Sequence, residues 1–211
     1  MEKYYLYIVL TRTNTVMSNM IRIFKNDEYT HAAISLDKEL NHMYSFGRRN
    51  TYNPFIGRFR KEEINEGVYK LCNILPGAII EVEVSKEQYE KAKVTLAHFI
   101  SNSHLYKYNY KGLMHSLLNK PVCSNYRFLC SEFVYHILKE SGIADLKISR
   151  NLVRPQSLLK IEGRIIYKGN LKEIKLPQNN SYTKEIRRRS FMEKSISIFH
   201  EETYSIQEKA N

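Results

Sequence analysis

The spacing of apolar residues divides the chain into strand and helix segments. Residues 4–10 are a run of Tyr, Leu, Ile and Val, predicting a buried strand that ends at Thr11, Arg12 and Thr13. Val16, Met17, Met20, Ile21 and Phe24 follow at helical spacing behind a cap at Thr13 or Asn14. From Thr30 to Asp37 the pattern alternates, with His31, Ala33, Ser35 and Asp37 on one strand face and Ala32, Ile34 and Leu36 on the other. A turn near residues 38–41 and the segment Met43 to Gly47 complete a predicted hairpin. Residues 48–60, with Asn53, Pro54, Gly57 and four arginines, predict a surface loop. Two strands are expected at 67–74 and 78–84, parted by Pro76 and Gly77. Ser85 to Gln88 then matches a capping box, opening a helix with Tyr89, Ala92, Leu96 and Phe99 on one face.

Residues 106–113 interleave tyrosine and lysine and lead into a short helix through Leu118. Such rings wedge a helix against a core or, with the lysines on phosphates, stack nucleic-acid bases. After Cys130 the apolar residues Phe133, Val134, Ile137 and Leu138 mark one helical face, with Cys130 on it. Glu132, His136, Lys139 and Glu140 are expected on the polar side, and Gly142 supplies a left-handed cap. Pro155 occupies a first-turn position in Arg154 to Leu159, and residues 164–169 predict a last strand. Beyond Pro177 a polar break precedes the run Arg187, Arg188, Arg189. The expectation is one α+β domain over residues 1–176 and a basic tail over 177–211, either mobile or one helix docked by Phe191, Ile196, Ile198 and Phe199.

Charge narrows the partners. A formal net charge of +11 predicts attraction to an anionic partner such as nucleic acid, an acidic membrane surface or a phosphorylated substrate. Cys72, Cys123 and Cys130 are odd in number and irregularly spaced, without a CxxC pair or a Cys/His cluster, so no disulfide scaffold, metal site or cofactor is expected. Residues 1–10 lack the basic n-region and cleavage site of a signal peptide, and no stretch approaches the roughly 20 apolar residues of a membrane span. These features predict a soluble, cytoplasmic protein.

A thiol in the first turn of a helix meets unpaired backbone N–H groups and the positive end of the helix dipole, which lower its pKa. Buried free cysteines are also ordinary core residues, so the residues alone leave Cys130 open between the two roles. A nucleophile needs a nearby base. His136 lies about 120° round the helix from Cys130 and is a poor partner. His42, His98, His104, His115 and His200 have no distinctive setting, whereas His31 begins a strand beside small residues.

The segments His31 to Leu36, Met43 to Gly47 and Phe128 to Val134, in that order, resemble the NlpC-type papain-like superfamily in its circularly permuted form, where the histidine strand precedes the cysteine helix. The stretch Tyr108 to Leu113 is similar to its Tyr-Asp-x-x-Gly-Leu pattern, with Asn109 where aspartate is frequent, and a proline-led segment like Arg154 to Leu158 commonly follows the helix. The resemblance implies an antiparallel sheet packed against the cysteine-bearing helix, Cys130 as nucleophile and His31 as base. It places Tyr108 near the oxyanion site and a third polar residue on the strand after the histidine strand, where Ser45 is the nearest match. Serine can accept a hydrogen bond from the imidazole but cannot stabilise imidazolium as a carboxylate does.

Two functions are therefore expected. The first is a cysteine hydrolase or acyltransferase acting on an amide, ester or thioester of a small-molecule, lipid or peptide substrate. The alternative is a noncatalytic module of the same fold whose basic surface holds nucleic acid or acidic lipid.

Overall fold

A computed structural model describes residues 3–13, 26–48 and 57–174. Strand β1 (Tyr4–Thr11) is covered on both faces, which is why its apolar residues run without alternation. It pairs antiparallel with β2 (His31–Ser35) on one side and β5 (Pro76–Val84) on the other. Next to β2 lie β3 (Met43–Arg48) and β4 (Gly57–Glu62), and beyond them the two-residue strands β6 (Lys107–Tyr108) and β7 (Arg127–Phe128). With β8 (Arg164–Asn170) on the far edge, eight strands form one sheet in the order β7-β6-β4-β3-β2-β1-β5-β8. Among the described residues only the β6–β7 pair is parallel.

One face of this sheet carries α2 (Lys86–Ser101) and α4 (Cys130–Glu140). Leu6, Ile8, Ala32, Ile34 and Phe46 from the strands share a core with Leu96, Phe99, Phe133, Val134 and Ile137 from the helices. Burying each large side chain of this kind contributes about 1.5–3 kcal/mol. The opposite face gathers Tyr7, Val9, Ala33, Met43, Ile79 and Leu171 around Tyr69 of the one-turn helix α1 (Gly67–Lys70). The mixed α+β architecture and the cysteine helix on a mostly antiparallel sheet agree with expectation.

The Ser85 capping box forms, with Gln88 N–H donating to the serine hydroxyl at 3.1 Å and Ser85 N–H donating to Gln88 Oε1 at 2.9 Å. Gly142 takes φ +68° beyond the end of α4, as expected. Residues 67–74 form α1 and a turn rather than a strand, because Tyr69 turns its ring into the second core while Leu71 and Ile74 stay exposed. Strand β5 begins at Pro76, where a missing N–H costs little. Within it a Cβ on Gly77 would lie 2.6 Å from the Leu10 carbonyl oxygen. The expected loop at 48–60 begins in β3 at Arg48 and ends in β4, and residues 49–56, the helix at Val16 to Phe24 and the basic tail lie outside the described residues. Among the described residues no helix is long and apolar enough to cross a membrane.

Candidate active site

The start of α4 is fixed from two sides. Phe128 of β7 is buried among Phe46, at a ring distance of 5.4 Å, and Phe99, at 5.2 Å, so the turn into Cys130 is anchored in the aromatic core. Glu132, wholly buried, folds back to accept the Leu129 N–H at 3.1 Å. The same carboxylate accepts Asn109 Nδ2 at 3.2 Å and Arg150 Nε at 3.1 Å. It is thus a three-way tie, not the solvated residue that helical periodicity predicts. Burial raises its pKa, against the Leu129 N–H, Asn109 and Arg150. Asn109 also accepts the Gly112 N–H at 2.9 Å and so caps helix α3 (Tyr110–Leu117). An aspartate at 109 would face Glu132 with a like charge, which explains the amide at this position.

Cys130 occupies the first position of α4, where the backbone N–H lacks an intrahelical acceptor. Its sulfur is held by the imidazole of His31 and by the backbone N–H groups of Ala32 and Ser131. The close approach of helix and strand runs through Ala32, on the face opposite Ala33, and not through the small-residue face that His31 begins.

His31 Nε2 lies 3.0 Å from Glu62 Oε2, which leaves Nδ1 for the thiol. Ser45 Oγ sits 3.3 Å from the same Nε2, and its hydroxyl donates to Glu62. Tyr69 O–H donates to Glu62 Oε2 at 2.9 Å, and the Thr11 hydroxyl lies 3.4 Å behind Tyr69. A polar chain therefore runs Thr11, Tyr69, Glu62, His31, Cys130 through the edge of the second core. Gly47 makes room for it: a Cβ there would come within 2.9 Å of Glu62 Oε1.

Electrostatics follow from this chain. Burial opposes charge on His31, but Glu62, followed by Cys130, overcomes it and raises the imidazole pKa to about 10. Burial likewise opposes ionisation of Glu62, yet His31, with the Ser45 and Tyr69 hydroxyls, lowers its pKa to about 2. For Cys130 burial is again outweighed, chiefly by His31, and the thiol pKa is lowered. These shifts run in the direction that favours an imidazolium facing a thiolate, with a carboxylate behind it.

A small, partly open pocket lies at Cys130. Tyr108, Leu113, Leu129, Val153 and Pro155 give it apolar walls, and Arg154, paired with buried Asp27 at 2.7 Å, stands at its side. Of the residues singled out from sequence, Cys130, His31 and Ser45 come together and Tyr108 lines the pocket. Glu62, Tyr69 and Thr11 were missed. For Glu62 the one signal was alternation in residues 57–62, which puts Phe59 on the helix side and Arg58, Arg60 and Glu62 on the other. His136 lies in a separate groove beside Arg150 and Phe128, and burial, then Arg150, lowers its pKa to about 4.

Compared with family models, curated proteins and solved structures, the chain matches none of them.

Proposed function

We propose that the protein is a cysteine-dependent hydrolase or acyltransferase built on a permuted papain-like, NlpC-type scaffold. The observation that carries this is the His31 ring held between the Cys130 thiol and the Glu62 carboxylate at the mouth of an apolar pocket. Glu62 supplies the negative charge that Ser45 lacks, which favours chemistry over the noncatalytic alternative.

In the proposed reaction the Cys130 thiolate attacks the carbonyl carbon of an amide, ester or thioester. The oxygen gains the charge and is met by the Cys130 backbone N–H at the helix start. As the tetrahedral adduct collapses, the bond to the leaving group breaks and His31 passes its proton to that group. His31, now neutral, takes a proton from the incoming water or acceptor nucleophile, which attacks the thioester. Collapse then releases the acyl product and restores thiolate and imidazolium. Glu62 stays ionised throughout and orients the ring, as the acidic member of a triad does.

A p-nitrophenyl ester tests this without knowledge of the substrate. The expected result is a burst of nitrophenolate approaching one equivalent per protein, with the acyl group mapped to Cys130 by mass spectrometry. Cys130→Ala should remove the burst. Acylation of Cys72 or Cys123 instead, or a burst that survives in Cys130→Ala, would refute the proposal.

A further inference from the structure

Between Glu90 and Glu132 the chain contains no acidic residue, while Lys91, Lys93, Lys107, Lys111, Lys120 and Arg127 all fall in this interval. Five of the large exposed apolar residues, Leu105, Met114, Leu118, Val122 and Tyr126, lie in the same stretch, and Met114, Leu118 and Tyr126 are each more than half exposed. The fold gathers much of this stretch in one place. Strands β6 and β7 pair through Lys107 with Arg127 and Tyr108 with Phe128, so residues 109–126 leave and re-enter the sheet at adjacent points. Helix α3 fills the first half of that excursion, with Met114 exposed on it and Leu118 exposed at its C-terminal cap, four residues on. Its inner side supplies Leu113 and Ser116 to the wall of the Cys130 pocket.

We propose that this β6–β7 excursion is a docking face for an anionic lipid bilayer, seating the mouth of the Cys130 pocket at the membrane surface. Lys91 and Lys93 pair with Glu87 and Glu90 on helix α2, but Lys107, Lys111, Lys120 and Arg127 lie on the excursion or the strands that bound it. Exposed aliphatic side chains beside such cations fit a surface that offers acyl chains below a layer of negative headgroups. Nucleic acid fits less well. Tyr106 is buried against Phe99 at a ring distance of 4.3 Å, and Tyr108 packs at a tilt on Tyr110 at 4.7 Å, so two of the clustered rings are engaged with each other and a third is in the core. Docking does not depend on the chemistry proposed for Cys130; the purpose of docking does, since it would present membrane-borne acyl compounds to that pocket.

The test is sedimentation of the full chain with vesicles of phosphatidylcholine alone or mixed with phosphatidylserine. Binding should require phosphatidylserine and weaken by about fivefold for each of Lys107→Gln and Lys111→Gln. A Met114→Gln/Leu118→Gln variant should bind about tenfold more weakly or worse, whereas Ile165→Gln, at an equally exposed site on strand β8 across the sheet, should bind like the parent. Equal binding to neutral vesicles would overturn the proposal. So would unchanged binding by the Met114/Leu118 variant, which would move the attraction elsewhere, for example to the Arg187–Arg189 run. Tight binding to single-stranded RNA with no binding to vesicles would replace it with a nucleic-acid surface. The Met114/Leu118 variant should keep the parent's rate of Cys130 alkylation, so loss of docking is distinguishable from failure of the proposed active site.

Discussion

Glu62→Gln lowers the reactivity of Cys130 at neutral pH by on the order of 100-fold. The substitution keeps the shape of the side chain and its contact with His31 while removing the charge that holds His31 as imidazolium. With the imidazole pKa falling from about 10 toward its ordinary value, the thiolate loses its cation and the Cys130 pKa rises. Stability responds with a definite sign. Glu62 titrates near 2 in the folded protein against an ordinary 4.5, so its contribution is fully present above pH 4.5 and is lost as pH falls through 2. At about 1.4 kcal/mol per unit, the parent should lose on the order of 3 kcal/mol over that window through this group, and Glu62→Gln should lack that dependence. Denaturation at several pH values, together with a thiol-alkylation assay, measures both. An unchanged alkylation rate in the variant would show that the carboxylate does not support the pair.

Arg150→Ala should be the most destabilising single change at the site's support. Arg150 lies over the Phe128 ring at 4.4 Å, donates to the Ser124 carbonyl at 2.6 Å and is the cation against Glu132, which has no solvent exposure of its own. Removing it leaves a carboxylate buried without its counter-charge, a change that costs about 3–5 kcal/mol. For a chain of this size that is a fall in melting temperature of roughly 10 °C. Burial already raises the Glu132 pKa, so the variant's Glu132 protonates more readily and the loss should shrink toward acidic pH. Adding Glu132→Gln should recover much of the loss, since an amide can still accept the Leu129 N–H. Thermal melts of the single and double variants decide the point. A single variant within 1 °C of the parent, a margin of about half a kcal/mol at most, would remove the tie from the account.

What the sequence made legible was whatever its periodicity could carry. The stripe Phe133, Val134, Ile137, Leu138 gave α4, the Ser85–Gln88 spacing gave the cap of α2, and alternation from His31 to Leu36 gave β2. Strand β4 was hidden because only Phe59 of its six residues is an apolar side chain turned to the core, amid two arginines and a lysine. Its place between β3 and β6 is decided by pairing with distant segments, which local propensity does not report. Glu62 was therefore invisible as the partner of His31, and so was Tyr69, whose hydroxyl reaches Glu62 from a helix that looked like a strand. Glu132 was misplaced for a different reason. Periodicity assigns a face by hydrophobicity, but a carboxylate that satisfies a backbone N–H, an amide and a guanidinium can be buried on any face.

A Cys130 thiolate sustained by His31 would show itself in the pH dependence of alkylation by iodoacetamide. In the parent the rate at Cys130 should already be high at neutral pH, stay level toward pH 10, and exceed the rates at Cys72 and Cys123, with His31→Ala moving the rise to the range of an ordinary thiol. A Cys130 rate that climbs only in the alkaline range in the parent, and is the same in His31→Ala, would contradict it.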